Sequence, residues 1–212
     1  MPDLAALSES LSGTLRRADT SVNWLQPVLL RLVAEGQPVS VGEIAAAAGR
    51  AEPDVRAALA QMPDTEFDVS GRVVGWGITQ NQTPHRFDVD GRHLFTWCAL
   101  DTLMFPALIG RAATVTSPCR ATGEPVHVQV DVNPDRVSSV TPADAVVSIV
   151  TPGETGSIRG AFCNQVHFFA NADAAGPWLA EHPGATVLPV AQAFELGQPL
   201  TAQMAAGTGD CC

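Results

Sequence analysis

The chain contains no lysine and no tyrosine: its 12 cationic side chains are all arginine, set against 22 acidic ones, for a net charge of −10. The missing lysine, together with many Ala and Gly, marks a GC-biased bacterial composition and carries no mechanism. The acidic surplus does exclude something. Affinity for a phosphate backbone rests on excess cations, so nucleic acid is not an expected partner. No apolar run reaches about 18 residues, the length a membrane-spanning helix needs. Met1-Pro2-Asp3-Leu4 lacks the basic start and long apolar core of a secretory leader, so the expected location is the cytoplasm. There is no CxxC and no HExxH, which leaves a structural zinc site or a zinc hydrolase poorly supported, and no GxGxxG or P-loop to imply a nucleotide cofactor. Five cysteines make an odd number, and a cytosolic chain of 212 residues needs no disulfides, so the thiols are expected reduced and available.

What is present centres on one stretch, Thr96-Trp97-Cys98-Ala99-Leu100-Asp101-Thr102-Leu103-Met104-Phe105-Pro106-Ala107-Leu108-Ile109-Gly110. It is almost wholly apolar, yet Cys98 and Asp101 stand three residues apart near its start. On a helix that spacing puts both on one face, one turn apart. A carboxylate in apolar surroundings is expensive to bury without a partner, so Asp101 calls for one or for a chemical task. A second marked thiol, Cys163, lies in Ala161-Phe162-Cys163-Asn164-Gln165-Val166-His167-Phe168-Phe169-Ala170. Two thiols and one carboxylate in an apolar pocket suit chemistry on a soft metal.

The patterning predicts an α+β fold: an N-terminal winged-helix-like helical module followed by a mainly antiparallel β-sheet catalytic domain with flanking helices. Residues 1–20 form a helical extension with Leu4, Leu7, Leu11 and Leu15 at helical spacing. Residues 21–80 make the module. A helix runs from Val22 to Ala34. A second is capped by Ser40 with Glu43 as its capping-box partner. A third enters through Glu52-Pro53-Asp54 and runs from Val55 to Met62, and two strands follow, around Glu66–Val69 and Arg72–Ile78. This is the winged helix-turn-helix order, but the third helix carries only Arg56 as a cation beside Asp54, too little for a reader of bases and phosphates. Residues 81–200 form the catalytic domain. A hairpin turns at Asp90-Gly91, and strands follow at Ala113–Thr116, Val126–Val132 and Ala145–Val150. A strand over residues 161–170 puts Cys163 and His167 on one face, and a helix (Ala174–His182), a strand (Ala185–Val190) and a last helix (Ala191–Leu196) complete it. Residues 201–212 form a flexible tail ending in Cys211-Cys212. Among the other candidates, His93 reads as a turn-flanking polar residue, His127 as one face of a strand and Cys119 as a buried structural thiol.

Read without reference to any family, three functions compete. One is metal chemistry on Cys98, Cys163 and Asp101. Another is a cysteine hydrolase with Cys98 as nucleophile and His167 as base, which leaves Asp101 and Cys163 unexplained. The last is a thiol-based metal-binding or sensing protein whose winged-helix module binds DNA.

The segments Phe95 to Gly110 and Phe162 to Phe169 closely resemble the signatures of bacterial organomercurial lyases (alkylmercury lyases), and the likeness extends over roughly residues 20–200. The resemblance implies an enzyme that cleaves the carbon–mercury bond of R–Hg⁺ to RH and Hg²⁺, with Cys98 and Cys163 as the mercury-binding thiols and Asp101 as the proton-handling carboxylate. Cys119 matches a family cysteine regarded as structural. Members often carry a second cysteine after the one matching Cys163, where this chain has Asn164. No resident cofactor is implied, since mercury arrives as part of the substrate. Product release is expected to need free thiols, either low-molecular-weight ones or those of a mercuric reductase. Cys211-Cys212 is not expected of the family; it is either a relay that hands Hg²⁺ on or a terminus without function.

Overall fold

A computed structural model of the chain describes residues 7, 9, 11, 13, 22–151 and 157–206. Leu7, Glu9, Leu11 and Gly13 are helical and Leu11 is almost fully buried in the core; Leu4 and Leu15 lie outside the described residues. Helices α1 (Leu25–Val33), α2 (Val41–Ala48) and α3 (Glu52–Ala60) follow. Ser40 caps α2 as its sequence predicts: its hydroxyl accepts from the Glu43 N–H, while Glu43 accepts from the Ser40 N–H at 2.8 Å. In α3, Arg56 is paired with Glu52 at 3.1 Å, so the one cation of the would-be recognition helix is already neutralised.

The wing is shorter and more bent than its sequence suggests. It consists of β1 (Glu66–Phe67), β2 (Val73–Trp76) and β3 (Ile78–Thr79), the last two separated at Gly77, whose φ is +69°. Only glycine takes that angle without strain, and a Cβ there meets the Phe105 ring at 2.7 Å, so the bend is doubly specified. The hairpin β4 (His85–Val89) and β5 (Arg92–Thr96) turns at Asp90-Gly91 as expected. Strand β3 pairs with β5 in the register Ile78↔Thr96 and Thr79↔Phe95, so the wing runs on into the main sheet. With β6 (Ala113–Pro118), β7 (Pro125–Asp131) and β8 (Arg136–Thr141), these strands form one antiparallel sheet in the order β1-β2-β3-β5-β4-β6-β7-β8. Residues 80 and 81 lie in the loop between β3 and β4, two strands of this one sheet.

Between β5 and β6 runs α4 (Ala99–Ile109), with nine buried residues spread around its circumference. A helix apolar on all sides belongs in the interior, and α4 packs between the sheet and the last helix, α7 (Val190–Ala206). The close approach of the two is fixed at Gly197, where a Cβ meets Met104 Cγ at 2.7 Å. The sequence stops the last helix at Leu196 and starts the tail at 201. Helix α7 instead continues to Ala206, because Leu200 and Thr201 add a further buried turn. Residues 207–212, including Cys211 and Cys212, lie outside the described residues.

The segment 161–170 is not the strand that its sequence suggests. It forms a short helix α5 (Ile158–Ala161), a 3₁₀ turn (Cys163–Gln165) and only then β10 (Phe168–Phe169). Ser157 caps α5 by accepting from the Gly160 N–H, and Ser148 serves the backbone at the following bend, donating to Gln165 O at 2.9 Å and accepting from His167 N at 2.8 Å. Side chains thus satisfy backbone groups that a strand ladder otherwise pairs. Cys163 and His167 do not share a strand face. Strand β10 joins β9 (Val146–Ile149) and β11 (Thr186–Pro189) in a second sheet of order β10-β9-β11, with α6 (Ala172–Glu181) between β10 and β11 in the chain. Among the described residues, no helix is long and apolar enough to cross a membrane.

Candidate active site

Cys98 stands at the N-cap of α4 with an extended backbone (φ −145°, ψ 170°), and Asp101 is the third residue of the helix. The two form a capping box in which sulfur takes the place normally held by a hydroxyl. Asp101 N donates to Cys98 Sγ at 3.4 Å, and Cys98 N donates to Asp101 Oδ2 at 3.2 Å. The spacing of three therefore does more than share a face. It locks thiol and carboxylate against each other at a helix N-terminus, where the macrodipole and the free N–H groups favour negative charge. Thr96 fixes the approach by donating its hydroxyl to Cys98 O at 2.9 Å, and Trp97 N donates to Gly77 O at 3.0 Å.

The 3₁₀ turn delivers Cys163 to the same place. Ala99 N donates to Val166 O at 3.1 Å and Val166 N to Cys163 O at 3.2 Å, so the two signature segments are held by the backbone. A ligand atom from each of Cys98, Asp101 and Cys163 lies within 4.8 Å of the others, and no other such group occurs among the described residues. All three described cysteines, Cys98, Cys119 and Cys163, are unpaired and buried.

The electrostatics follow from that burial. Burial pushes the Cys98 thiol well above the usual thiol range, helped by its hydrogen bond with Cys163 and by the negative charge of Asp101. The hydrogen bond with Cys98 draws the Cys163 thiol down, but burial and the charges of Asp101 and Asp64 outweigh it and the net direction is up. Asp101 keeps a strip of accessible surface, yet burial of its carboxyl raises its pKa to about 7, against the opposing hydrogen bonds from Cys98 and the charge of Arg159. Burial thus favours the neutral form of both thiols and of the carboxyl between them.

Around the triad is a layer that no sequence pattern announces. Glu66, from the wing, has a side chain 13% exposed and accepts hydrogen bonds from Trp97 Nε1 at 3.1 Å, Asn81 Nδ2 at 2.8 Å, the Thr79 hydroxyl and the Arg159 guanidinium. Arg159 also lies over the Trp97 ring, 5.0 Å from its centroid. Asp64 accepts from the Ser157 hydroxyl at 2.6 Å and from Arg159 N at 3.2 Å. The N-terminal module thus grips both the residue before Cys98 and the turn before Cys163. Glu66 is separated from Arg159 by 93 residues, and the only hint in the chain is a carboxylate on a strand.

A cavity of about 500 Å³ opens beside Cys163, lined also by Trp97, Asn164, His167, His85, Cys119 and Arg120. Of the apolar residues near the first signature, Trp97 faces this cavity, whereas Leu100 and Phe105 belong to the core. His85 is buried with its Nδ1 2.9 Å from Ser117 Oγ, and burial lowers its pKa to about 3. Burial also lowers His167 to about 4, with the charges of Arg120 and His182 acting in the same direction. Cys119 sits in the turn between β6 and β7, where Gly123 N donates to its carbonyl at 2.8 Å; it is not among the three converging ligands. His93 is exposed on the hairpin, 2.7 Å from Asp88 Oδ1, and His127 lies on β7, 3.2 Å from Thr116 Oγ1; neither reaches the site.

Comparison with known proteins agrees with this geometry. The profile of the alkylmercury lyase family matches residues 78–202, and that of the helix-turn-helix domain of alkylmercury lyase matches residues 4–77. The alkylmercury lyase of Streptomyces lividans is 60% identical, covering 92% of this chain and 91% of its own length; that of Staphylococcus epidermidis is 50% identical, covering 100% and 99%. A crystal structure of the mercury-bound form of MerB2 superposes with a TM-score of 0.76 at 25% identity, covering 93% of this chain and 98% of that one. With both signature segments, the joined sheet and these relatives in agreement, the chain belongs to the alkylmercury lyase family.

Proposed function

We propose that the enzyme cleaves R–Hg⁺ by protonolysis, with Cys98 and Cys163 binding mercury and Asp101 carrying the proton to carbon. The observation that carries this reading is the convergence of two thiols and one carboxyl within 4.8 Å, with the carboxyl poised at about 7. Mercury is soft and prefers sulfur to nitrogen or oxygen. On binding R–Hg⁺, the Cys98 thiol gives its proton to the Asp101 carboxylate as the S–Hg bond forms, since a coordinated thiol is deprotonated outright. Cys163 then adds as a second thiolate and releases its proton to solvent. The higher coordination pushes electron density toward carbon. Asp101 transfers its proton to that carbon, the C–Hg electron pair becomes the C–H bond, and Hg²⁺ remains on two thiolates. One of the two thiol protons ends in RH and the other in water, so charge and atoms balance.

No resident cofactor is needed in this scheme, because mercury enters with the substrate and leaves as product. Hg²⁺ leaves by exchange with low-molecular-weight thiols or with the thiols of a mercuric reductase, and we place the reaction in the cytoplasm, where such thiols stay reduced. The neutralised Arg56 and the acidic chain speak against a DNA-binding sensor. Turnover of phenylmercury in D₂O tests the proposal: it is expected to yield monodeuterated benzene, whereas benzene without deuterium contradicts a proton delivered from an exchangeable carboxyl.

A further inference from the structure

Once the hydrocarbon has left, Hg²⁺ sits on two thiolates that solvent hardly reaches: Cys98 is 0% and Cys163 5% exposed. Exchange requires a third sulfur to approach the metal, and the approach must run through open space. Cys163 lines the cavity of about 500 Å³ and Cys98 does not, so an incoming thiol meets the metal on its Cys163 side. The wall of that cavity offers polar groups beside its apolar ones, Trp97, Pro84 and Pro118. Asn164, His85 and His167 face it, and burial keeps both histidines neutral at physiological pH. Its charge comes from Arg120, which has no ion-pair partner among the described residues. The residue is also firmly based. Arg120 N donates to Phe168 O at 2.9 Å, and Cys119 N donates to Glu124 O at 2.7 Å, which pins the turn against β10 beside His167. On a chain of net charge −10, a cation on the wall of this cavity without an acidic partner among the described residues favours an anion there.

We propose that this cavity is the docking subsite for the thiol that removes Hg²⁺, and that Arg120 selects thiols bearing a carboxylate. The guanidinium holds the carboxylate in the planar, bidentate manner to which it is suited. The thiolate sulfur then adds to mercury, the Cys163–Hg bond breaks, and a second thiol displaces Cys98 in the same way. Each step exchanges one S–Hg bond for another, with no change of oxidation state. The inference rests on Cys98 and Cys163 holding the product, as proposed above.

The test loads the full-length protein with one equivalent of Hg²⁺ and measures its release by 3-mercaptopropionate, 2-mercaptoethanol and cysteamine, each rate divided by its thiolate concentration. The expected order is anionic over neutral over cationic, with the anionic thiol ahead of the neutral one by about fivefold, the upper end for a solvent-accessible ion pair. Arg120→Gln removes that preference and leaves the neutral thiol unchanged, and Arg120→Lys retains most of it. A wild type that does not discriminate, or a preference that survives in Arg120→Gln, overturns the subsite. A second arm compares turnover of phenylmercury and 4-carboxyphenylmercury. If Arg120→Gln raises KM for the carboxylated substrate alone and leaves Hg²⁺ release untouched, the cation serves the substrate and the proposal falls. Retention of one Hg²⁺ per chain after desalting, lost in Cys163→Ser, is read in the same samples. Failure there strikes the two-thiol site itself, whereas retained mercury without charge discrimination strikes only the subsite.

Discussion

Asp101→Asn is expected to exceed the wild type in stability by a margin that grows as pH rises, while removing its chemistry. The Asp101 carboxyl is raised from 3.8 to about 7 by burial, so the folded state holds a proton that the unfolded chain gives up. A group raised in this way contributes its full stability below the unfolded value and loses it as pH climbs through the folded one. At 1.36 kcal/mol per unit the shift corresponds to ~4 kcal/mol. The strip of accessible surface on Asp101 reduces this to about 2–4 kcal/mol, lost between about pH 4 and pH 8. Asparagine is isosteric and cannot ionise, and its oxygen still accepts from the Cys98 N–H, so the cap survives. His85 and His167, lowered to about 3 and about 4, destabilise both proteins equally as pH falls below the unfolded histidine value, and so cancel in the comparison. Urea denaturation under reducing conditions, wild type against Asp101→Asn, should show a gap widening by ~1–3 kcal/mol from pH 5 to pH 8. A gap independent of pH refutes the raised carboxyl, and with it the proton relay. Its widening in a variant that yields no hydrocarbon would identify Asp101 as a residue kept for chemistry at the expense of stability.

Three other outcomes follow from the surroundings of the triad. Glu66→Gln leaves the Arg159 charge uncompensated beside Asp101, which lowers the carboxyl pKa; the alkaline limb of the kcat–pH profile should move down by about half a unit to one unit, and substitution of Arg159 by Met in the same chain should move it back. Gly77→Ala forces a side chain into a left-handed backbone and into the Phe105 ring at 2.7 Å, costing ~2–4 kcal/mol in thermal or urea denaturation and disturbing Trp97, whose N–H that backbone holds. Leu11→Ala should cost ~2–4 kcal/mol although it lies in the N-terminal extension, because Leu11 is 1% exposed; no change in the denaturation midpoint would show that this helix does not belong to the core.

The features readable from the chain are those fixed by neighbours a few residues apart. The Ser40–Glu43 box, the Asp90-Gly91 hairpin and the apolar run of α4 all follow from local spacing, and the pairing of Cys98 with Asp101 does as well. What spacing could not supply is that the thiol itself caps the helix. Features that depend on remote partners were not legible. β8 has no buried residue, so its edge position left no alternation to find. Cys163 lies in a turn rather than a strand because Ser148, far off in the chain, satisfies the backbone there. α7 continues through Gly197 and Pro199, both ordinary helix breakers, because Met104 fills the space above the glycine and Leu200 is buried beyond it. The Glu66–Arg159–Trp97 layer joins three segments that have no common motif.

The central claim is that two thiols and one carboxyl perform the protonolysis together, and the most direct measurement is hydrocarbon release in a single turnover. Anaerobic enzyme in excess over phenylmercury is quenched at intervals and benzene is quantified by gas chromatography, for the wild type and for Cys98→Ser, Cys163→Ser and Asp101→Asn. The account predicts one benzene per mercurial from the wild type and a loss of at least about a hundredfold in each variant, the lower end for removing a group that acts in proton transfer. Undiminished benzene from any of the three variants, or mercury bound by the wild type without benzene, would contradict it.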